Sequence, residues 1–121
     1  MTKISAADEV WIATALLHRE NPDSESFTVT KIVDRVAKEN IFGRLRPTVQ
    51  IHCYMHSVAN KRPNPNNYRI LYKTDNKGYR LFRDGDDYHP YREGSKTRPE
   101  KHEIPEEYHE LLDWYVKDYN K

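Results

Sequence analysis

With a single cysteine, Cys53, the chain cannot form an intramolecular disulfide, and a reducing, intracellular environment is the expectation that follows. Only four glycines are present, and none belongs to a phosphate-cradling loop or a nucleophile elbow. No apolar run approaches the ~20 residues of a membrane-spanning helix. The first twenty residues are interrupted by Asp8, Glu9 and His18 and lack a small-residue cleavage pattern, so no signal peptide is expected. These absences predict a soluble, cytoplasmic protein with no membrane partner. Apolar content is low as well, at 36% against 32% charged. A chain of 121 residues fits one domain with a modest core. Nine tyrosines supplement that core, since each buries a ring while its hydroxyl stays wet.

Net charge is nearly absent too, at +1 overall, but the total hides a strong local excess. From Ile41 to Arg83 there are nine Lys/Arg residues against one acid, Asp75, a local net of +8. Residues 1–40 hold five basic and seven acidic side chains, and residues 84–121 hold six and eleven. A concentration of this kind attracts a polyanion.

Hydrophobic spacing gives the order of elements. Ser5 is a candidate N-cap for a helix reaching about Arg19, with Ala7, Val10, Trp11, Thr14 and Leu17 on its buried face. Pro22 marks a loop, and Phe27 to Val29 forms a stub of strand. Thr30 can cap a second helix whose stripe is Ile32, Val33, Val36 and Ala37, ending at Asn40. Ile41-Phe42-Gly43 reads as a turn, with Gly43 suited to positive φ. Pro47 then opens a third helix running to about Asn60. The Pro/Asn-rich stretch from Lys61 to Asn67 is a loop. Tyr68–Lys73 and Tyr79–Arg83 alternate as strands around a Thr74-Asp75-Asn76-Lys77-Gly78 turn. The spacing of Tyr68, Tyr72 and Tyr79 predicts one shared face, which either covers the helices or stacks on single-stranded nucleic acid. Residues 84–103 read as an extended arm. Pro105 opens a last helix to about Asn120, with Ile104 and Tyr108 as a staple. Its stripe of Tyr108, Leu111, Leu112, Tyr115 and Tyr119 must be buried, on the body or across a homodimer.

This α+β order of helix, short strand, helix, turn, helix and hairpin resembles the winged helix-turn-helix family. Ser26 to Val33 resembles the strand and cap that enter helix 2 of such domains. Arg46-Pro47-Thr48-Val49-Gln50 resembles the start of a recognition helix, and Tyr68 to Phe82 resembles the wing. The stretch is similar to small prokaryotic winged-helix proteins. The resemblance implies a domain at 1–83, followed by an arm and helix at 84–121 that pack on the domain or on a dimer partner. It also implies double-stranded DNA as the partner, with helix 47–60 in the major groove and hairpin 68–83 as the wing.

On that reading Arg44 and Arg46 precede the groove-bound helix, Lys61 and Arg62 follow it, and Lys73, Lys77 and Arg80 lie on the wing. If about six of these cations met phosphates, binding would fall with salt at a log–log slope of roughly −5. Two rotations of the helix are open. Plain amphipathicity buries Ile51, Tyr54, Met55 and Val58 and leaves His52 outward. The family pattern turns Val49, His52 and Cys53 inward and presents Thr48, Gln50, Ile51 and Tyr54. Gln50 can bond adenine in either case, and Ile51 outward would meet a thymine or 5-methylcytosine methyl. A dimer joined through the last helix would supply the specificity that one module lacks.

Catalysis, cofactors and metals find no support in the pattern. His52 and His56 stand one turn apart with Cys53 adjacent, but no third ligand follows at recognisable spacing. The carboxylates at Asp84, Asp86, Asp87 and Glu106 to Glu110 lie in an arm and on a helix surface, and the first-turn pair Glu106 and Glu107 suits the helix dipole. The rival reading is a winged helix that docks an acidic protein through Ile51, Tyr54 and Met55, and RNA or single strands form a third.

Overall fold

The first helix, α1 (Ala6–Glu20), starts where the Ser5 hydroxyl accepts the Asp8 backbone N–H at 3.1 Å. In the computed structural model, which describes residues 4–62, 68–74 and 78–120, α1 is buried all round from Ala6 to Leu16 rather than along one face. It is the central pillar: α2 (Val29–Glu39) and α3 (Thr48–Ile51) pack on it, as do the hairpin and α4 (His109–Trp114). Ala6, Ala7, Ala13 and Ala15 are all buried, and their small side chains let these elements approach. No helix among the described residues is long and apolar enough to cross a membrane.

Helix α2 begins two residues earlier than the Thr30 cap predicts. Phe27 is held extended by paired bonds with Tyr79, 2.8 Å in each direction. Thr28 is therefore the N-cap, its hydroxyl accepting the Lys31 N–H at 3.2 Å. Ile32 and Val36 are buried, whereas Ala37 faces out. Asn40 ends the helix in the left-handed region (φ 49°), and Gly43 follows at φ 100° in the turn to α3.

The third helix is shorter than expected. Four α-helical residues, Thr48–Ile51, run into a π-helical turn, His52–His56, closed by the Ser57 N–H on the His52 carbonyl at 3.1 Å. It stops there because the next residues pair with the hairpin. The Ser57 carbonyl accepts the Ile70 and Leu71 N–H groups, and the Ala59 N–H donates to the Leu71 carbonyl at 2.7 Å.

Strands β1 (Leu71–Lys73) and β2 (Tyr79–Leu81) are antiparallel, with Leu71 opposite Leu81, Tyr72 opposite Arg80 and Lys73 opposite Tyr79. Opposed residues share a face, so Tyr72 and Tyr79 point to opposite sides, contrary to the shared face predicted for the tyrosines. Tyr68 leaves the hairpin and bridges Lys96 instead. The Pro/Asn loop at 63–67 and the hairpin tip at 75–77, with Lys77, lie outside the described residues.

The arm is not simply extended. It contains 3-10 turns at Pro90–Arg92 and Lys101–Glu103, and its Arg92 is wholly buried. The guanidinium donates to the carbonyls of Met55 (2.9 Å), His56 (2.8 Å), Lys61 (2.7 Å) and Tyr68 (2.6 Å), with Arg62 at 3.5 Å. Lys96 is 2.8 Å from the buried Asp8 carboxylate and 2.9 Å from Glu103. The last helix is split as well: a 3-10 turn at Glu106–Tyr108, then α4, then a π turn at Tyr115–Tyr119.

The stripe of the last helix is covered within the chain. Tyr108, Leu111, Leu112 and Tyr115 are buried. The Tyr115 hydroxyl donates to the Phe82 carbonyl, and that of Tyr119 to the Leu81 carbonyl at 2.7 Å. Four of the five are thus covered by the body of the same chain, the first of the two alternatives expected for this stripe, while Tyr119 is half-buried.

Replacing Arg92 tests how far the fold leans on the arm. Arg92→Met keeps an unbranched stem but strands several buried carbonyls, and urea melts should show a loss of about 3 kcal/mol or more. Arg92→Lys should recover less than half, because a point ammonium cannot span carbonyls that a planar fork reaches together. Wild-type stability in both variants would contradict this role.

Candidate nucleic-acid interface

The rotation of the third helix decides which side chains could meet a partner. Val49 and Cys53 are fully buried and His52 is 6% exposed, while Thr48, Gln50 and Tyr54 face outward and Ile51 is half-buried. This is the second of the two rotations. His52 turns inward because its Nδ1 meets the Ser57 hydroxyl at 2.8 Å and its ring packs against His56 and Tyr68. A hydropathy pattern counts histidine as polar and Ile51 and Tyr54 as core, so it picks the wrong face. Of the proposed base-reading set, His52 is therefore the member that does not reach the surface.

The basic residues divide into two groups. Arg46 is committed to the interior: it lies 2.5 Å from the buried Glu9 carboxylate, donates to the Ile4 carbonyl at 2.8 Å, and sits 3.6 Å over the Phe42 ring. Arg80 is held by Asp86 through two bonds of 2.9 Å and lies 4.6 Å over Tyr72. Arg69 bonds the Ser95 carbonyl and stacks on Tyr88 at 4.3 Å, and Arg83 stacks on Tyr119 at 4.3 Å. Lys61 caps the helix end by donating to the Tyr54 carbonyl at 2.7 Å. Burial lowers its pKa first, and the neighbouring Lys73 charge adds to that.

Arg44, Arg62 and Lys73 remain exposed. Arg44 lies 5.5 Å from the Phe42 ring and Arg62 5.6 Å from the Tyr91 ring, so both guanidinium groups rest on aromatic faces at the rim. Asn60 bonds both the N–H and the carbonyl of Lys73 at 3.0 Å, which fixes β1 beside the helix end. The three exposed cations thus stand before the helix, after it and on the hairpin. Lys77 lies outside the described residues.

Residues with no signal in a charge count set this arrangement. Arg92 closes the carbonyl end of the helix, and Glu9 removes Arg46 from the surface. A carboxylate pair inside an otherwise apolar first helix was the available clue for Glu9. Nothing about Arg92 distinguishes it in sequence from other arm residues. Leu45 is 45% exposed just before the helix, a position that its apolar character does not signal in sequence.

The inward-facing groups are chemically quiet at neutral pH. Burial pushes the Cys53 thiol up to about 12. Burial, with the His56 and Arg46 charges, pushes His52 down to about 4. Among the described residues, no group of three or more His, Cys, Asp or Glu is placed to hold a metal ion. Comparisons with protein-family models, with curated proteins and with solved structures found no match for this chain.

The two depressed histidines predict how stability depends on pH. His18 is buried between Phe27 and Tyr119, and its Nε2 accepts the Leu81 N–H at 3.3 Å. Burial, with the Arg83 and Arg80 charges, lowers it to about 3. Both rings are neutral in the folded chain and titrate near 6.5 when unfolded, so below pH 6.5 the unfolded state binds more protons. Stability should fall as pH drops from about 6.5 to 5, each histidine adding up to about 1.4 kcal/mol per pH unit. Lower still, Asp8 acts with the opposite sign, since burial raises its carboxyl. His18→Gln keeps an acceptor for Leu81 and should roughly halve the slope in urea melts between pH 6.5 and 5. A flat wild-type profile over that range would rule the histidines out.

Proposed function

We propose that this chain is a winged helix-turn-helix protein that binds duplex DNA without catalysing a reaction, as a small transcriptional regulator or DNA-associated accessory factor. The carrying observation is the helix rotation. It presents Thr48, Gln50, Ile51 and Tyr54 together, flanked by Arg44, Arg62 and Lys73. A major groove admits a helix, and its edges offer partners for an amide and a hydroxyl. Cations at both ends of that helix and on the hairpin would bind phosphates and set its register. The Phe27–Tyr79 bridge supports the family assignment, since it joins the strand between the first two helices to the hairpin.

A second reading has its own support. Leu45 is 45% and Tyr54 37% exposed, and such apolar surface also suits a protein partner with an acidic rim.

A mobility-shift titration with a random 30-bp duplex separates the two. DNA binding predicts micromolar retardation that weakens with salt at a slope of roughly −3, about one unit for each of the three exposed cations. This is shallower than the raw charge count implies, because Arg46 and Arg80 are committed internally. Combining Arg44→Ala, Arg62→Ala and Lys73→Ala should abolish retardation and leave thermal unfolding near wild type. Arg46→Ala is unsuitable for this purpose, since it strands Glu9. Retardation that ignores salt, or that survives the triple variant, would refute the proposal.

A further inference from the structure

We infer that the outward face of the third helix selects thymine-containing duplex by burying C5-methyl groups, with Ile51 as the specificity-determining side chain. The inference rests on the DNA-binding reading and adds to it the chemistry being read. The face is unusual for a surface that must meet a polyanion: its outward side chains, from Thr48 to Tyr54, include no cation. Ile51 is half-buried, with the exposed Gln50 beside it in sequence and the exposed Thr48 and Tyr54 three residues to either side. Within the α-helical turn, residues three apart are neighbours, so Thr48 and Ile51 adjoin, and the exposed Tyr54 follows in the π turn.

The physics of the groove narrows the occupant. A guanine reader presents Arg or Lys to O6 and N7, and this face has neither. What it offers is a branched aliphatic, a threonine methyl and an aromatic ring, all suited to the one apolar group of the major-groove edge, the thymine methyl. Gln50 supplies the complementary amide for adenine N6 and N7, so a single A·T pair could satisfy both kinds of contact. An anionic occupant is favoured because Arg44, Arg62 and Lys73, before the helix, after it and on the hairpin, are exposed, whereas the carboxylates Glu9 and Asp86 are turned inward onto Arg46 and Arg80. Charge complementarity thus points to nucleic acid, and the apolar face points to the methyl.

The test compares a 30-bp alternating dA–dT duplex with the same duplex carrying deoxyuridine for thymine, which removes only the methyl groups. Wild-type protein should bind the thymine duplex about fourfold more tightly for each methyl buried. Ile51→Ser should bring the ratio close to one without changing the salt slope, and a thermal melt checks that the variant is folded. If it does not fold, the wild-type ratio still decides. Equal binding of the two duplexes overturns the methyl inference and leaves DNA binding standing. Retardation of neither duplex overturns both and favours the protein-docking reading.

Discussion

A buried arginine that has no carboxylate partner among the described residues ties the fold together. Arg92 is wholly excluded from solvent, and among the described residues its guanidinium is held by backbone carbonyls. Two of these, Met55 and His56, lie at the C-terminal end of the third helix, where unpaired carbonyls carry the negative end of the helix dipole. The π turn at His52–His56 leaves its last carbonyls pointing into the space the guanidinium fills. Burial lowers the Arg92 pKa, yet arginine starts high enough to remain charged. Removing either side, the arm or the helix end, leaves the other with unsatisfied buried polar groups, so the two fold as one unit. Residues 84–120 are therefore structural members of the domain, and the core cluster runs from Ile4 to Tyr115.

The same logic governs the remaining buried charges. Asp8 and Glu9 sit inside the central helix at 2% exposure each. A carboxylate in that position is costly unless paired. Glu9 meets Arg46 from the turn before the third helix, and Asp8 meets Lys96 from the arm. Such pairs contribute little net stability compared with well-packed apolar substitutes. They do fix where the partner segments must lie. The first helix thus places both the entry to the third helix and the arm that closes its exit.

What could be read in advance was whatever depends on neighbours along the chain. The Ser5 cap, the Gly43 turn and the order of helices are local, and they stand as predicted; the hairpin pairs only Leu71–Lys73 with Tyr79–Leu81, shorter than the strands expected. The failures lie where a distant segment intervened. The helix predicted to reach Asn60 stops at His56 because Leu71 takes over pairing with residues 57–59. The start of α2 moved because Tyr79 holds Phe27 extended. The face of the third helix was ambiguous because a buried histidine satisfied by Ser57 looks polar in sequence. The charge excess in the middle of the chain was legible as a number, but its partners, Glu9 and Asp86, lie outside that segment. A count cannot reveal which guanidinium groups have already been neutralised.

That neutralisation changes how a duplex would be held. A footprint built on six phosphate contacts would draw its affinity from counterion release, which carries no sequence information. With Arg46 and Arg80 turned inward and Lys61 on a backbone carbonyl, the sequence-independent contribution shrinks. A larger share of the binding energy must then come from the helix face itself. An apolar face suits that burden, because burying a methyl gains energy only where the methyl is present and costs little polar desolvation where it is not. The internal bonds of Arg46 and Lys61 instead hold the two ends of the helix in place. On the proposed DNA-binding reading, selectivity would then depend on the few side chains between Thr48 and Tyr54 and on how firmly Arg92 and Glu9 hold the helix that carries them.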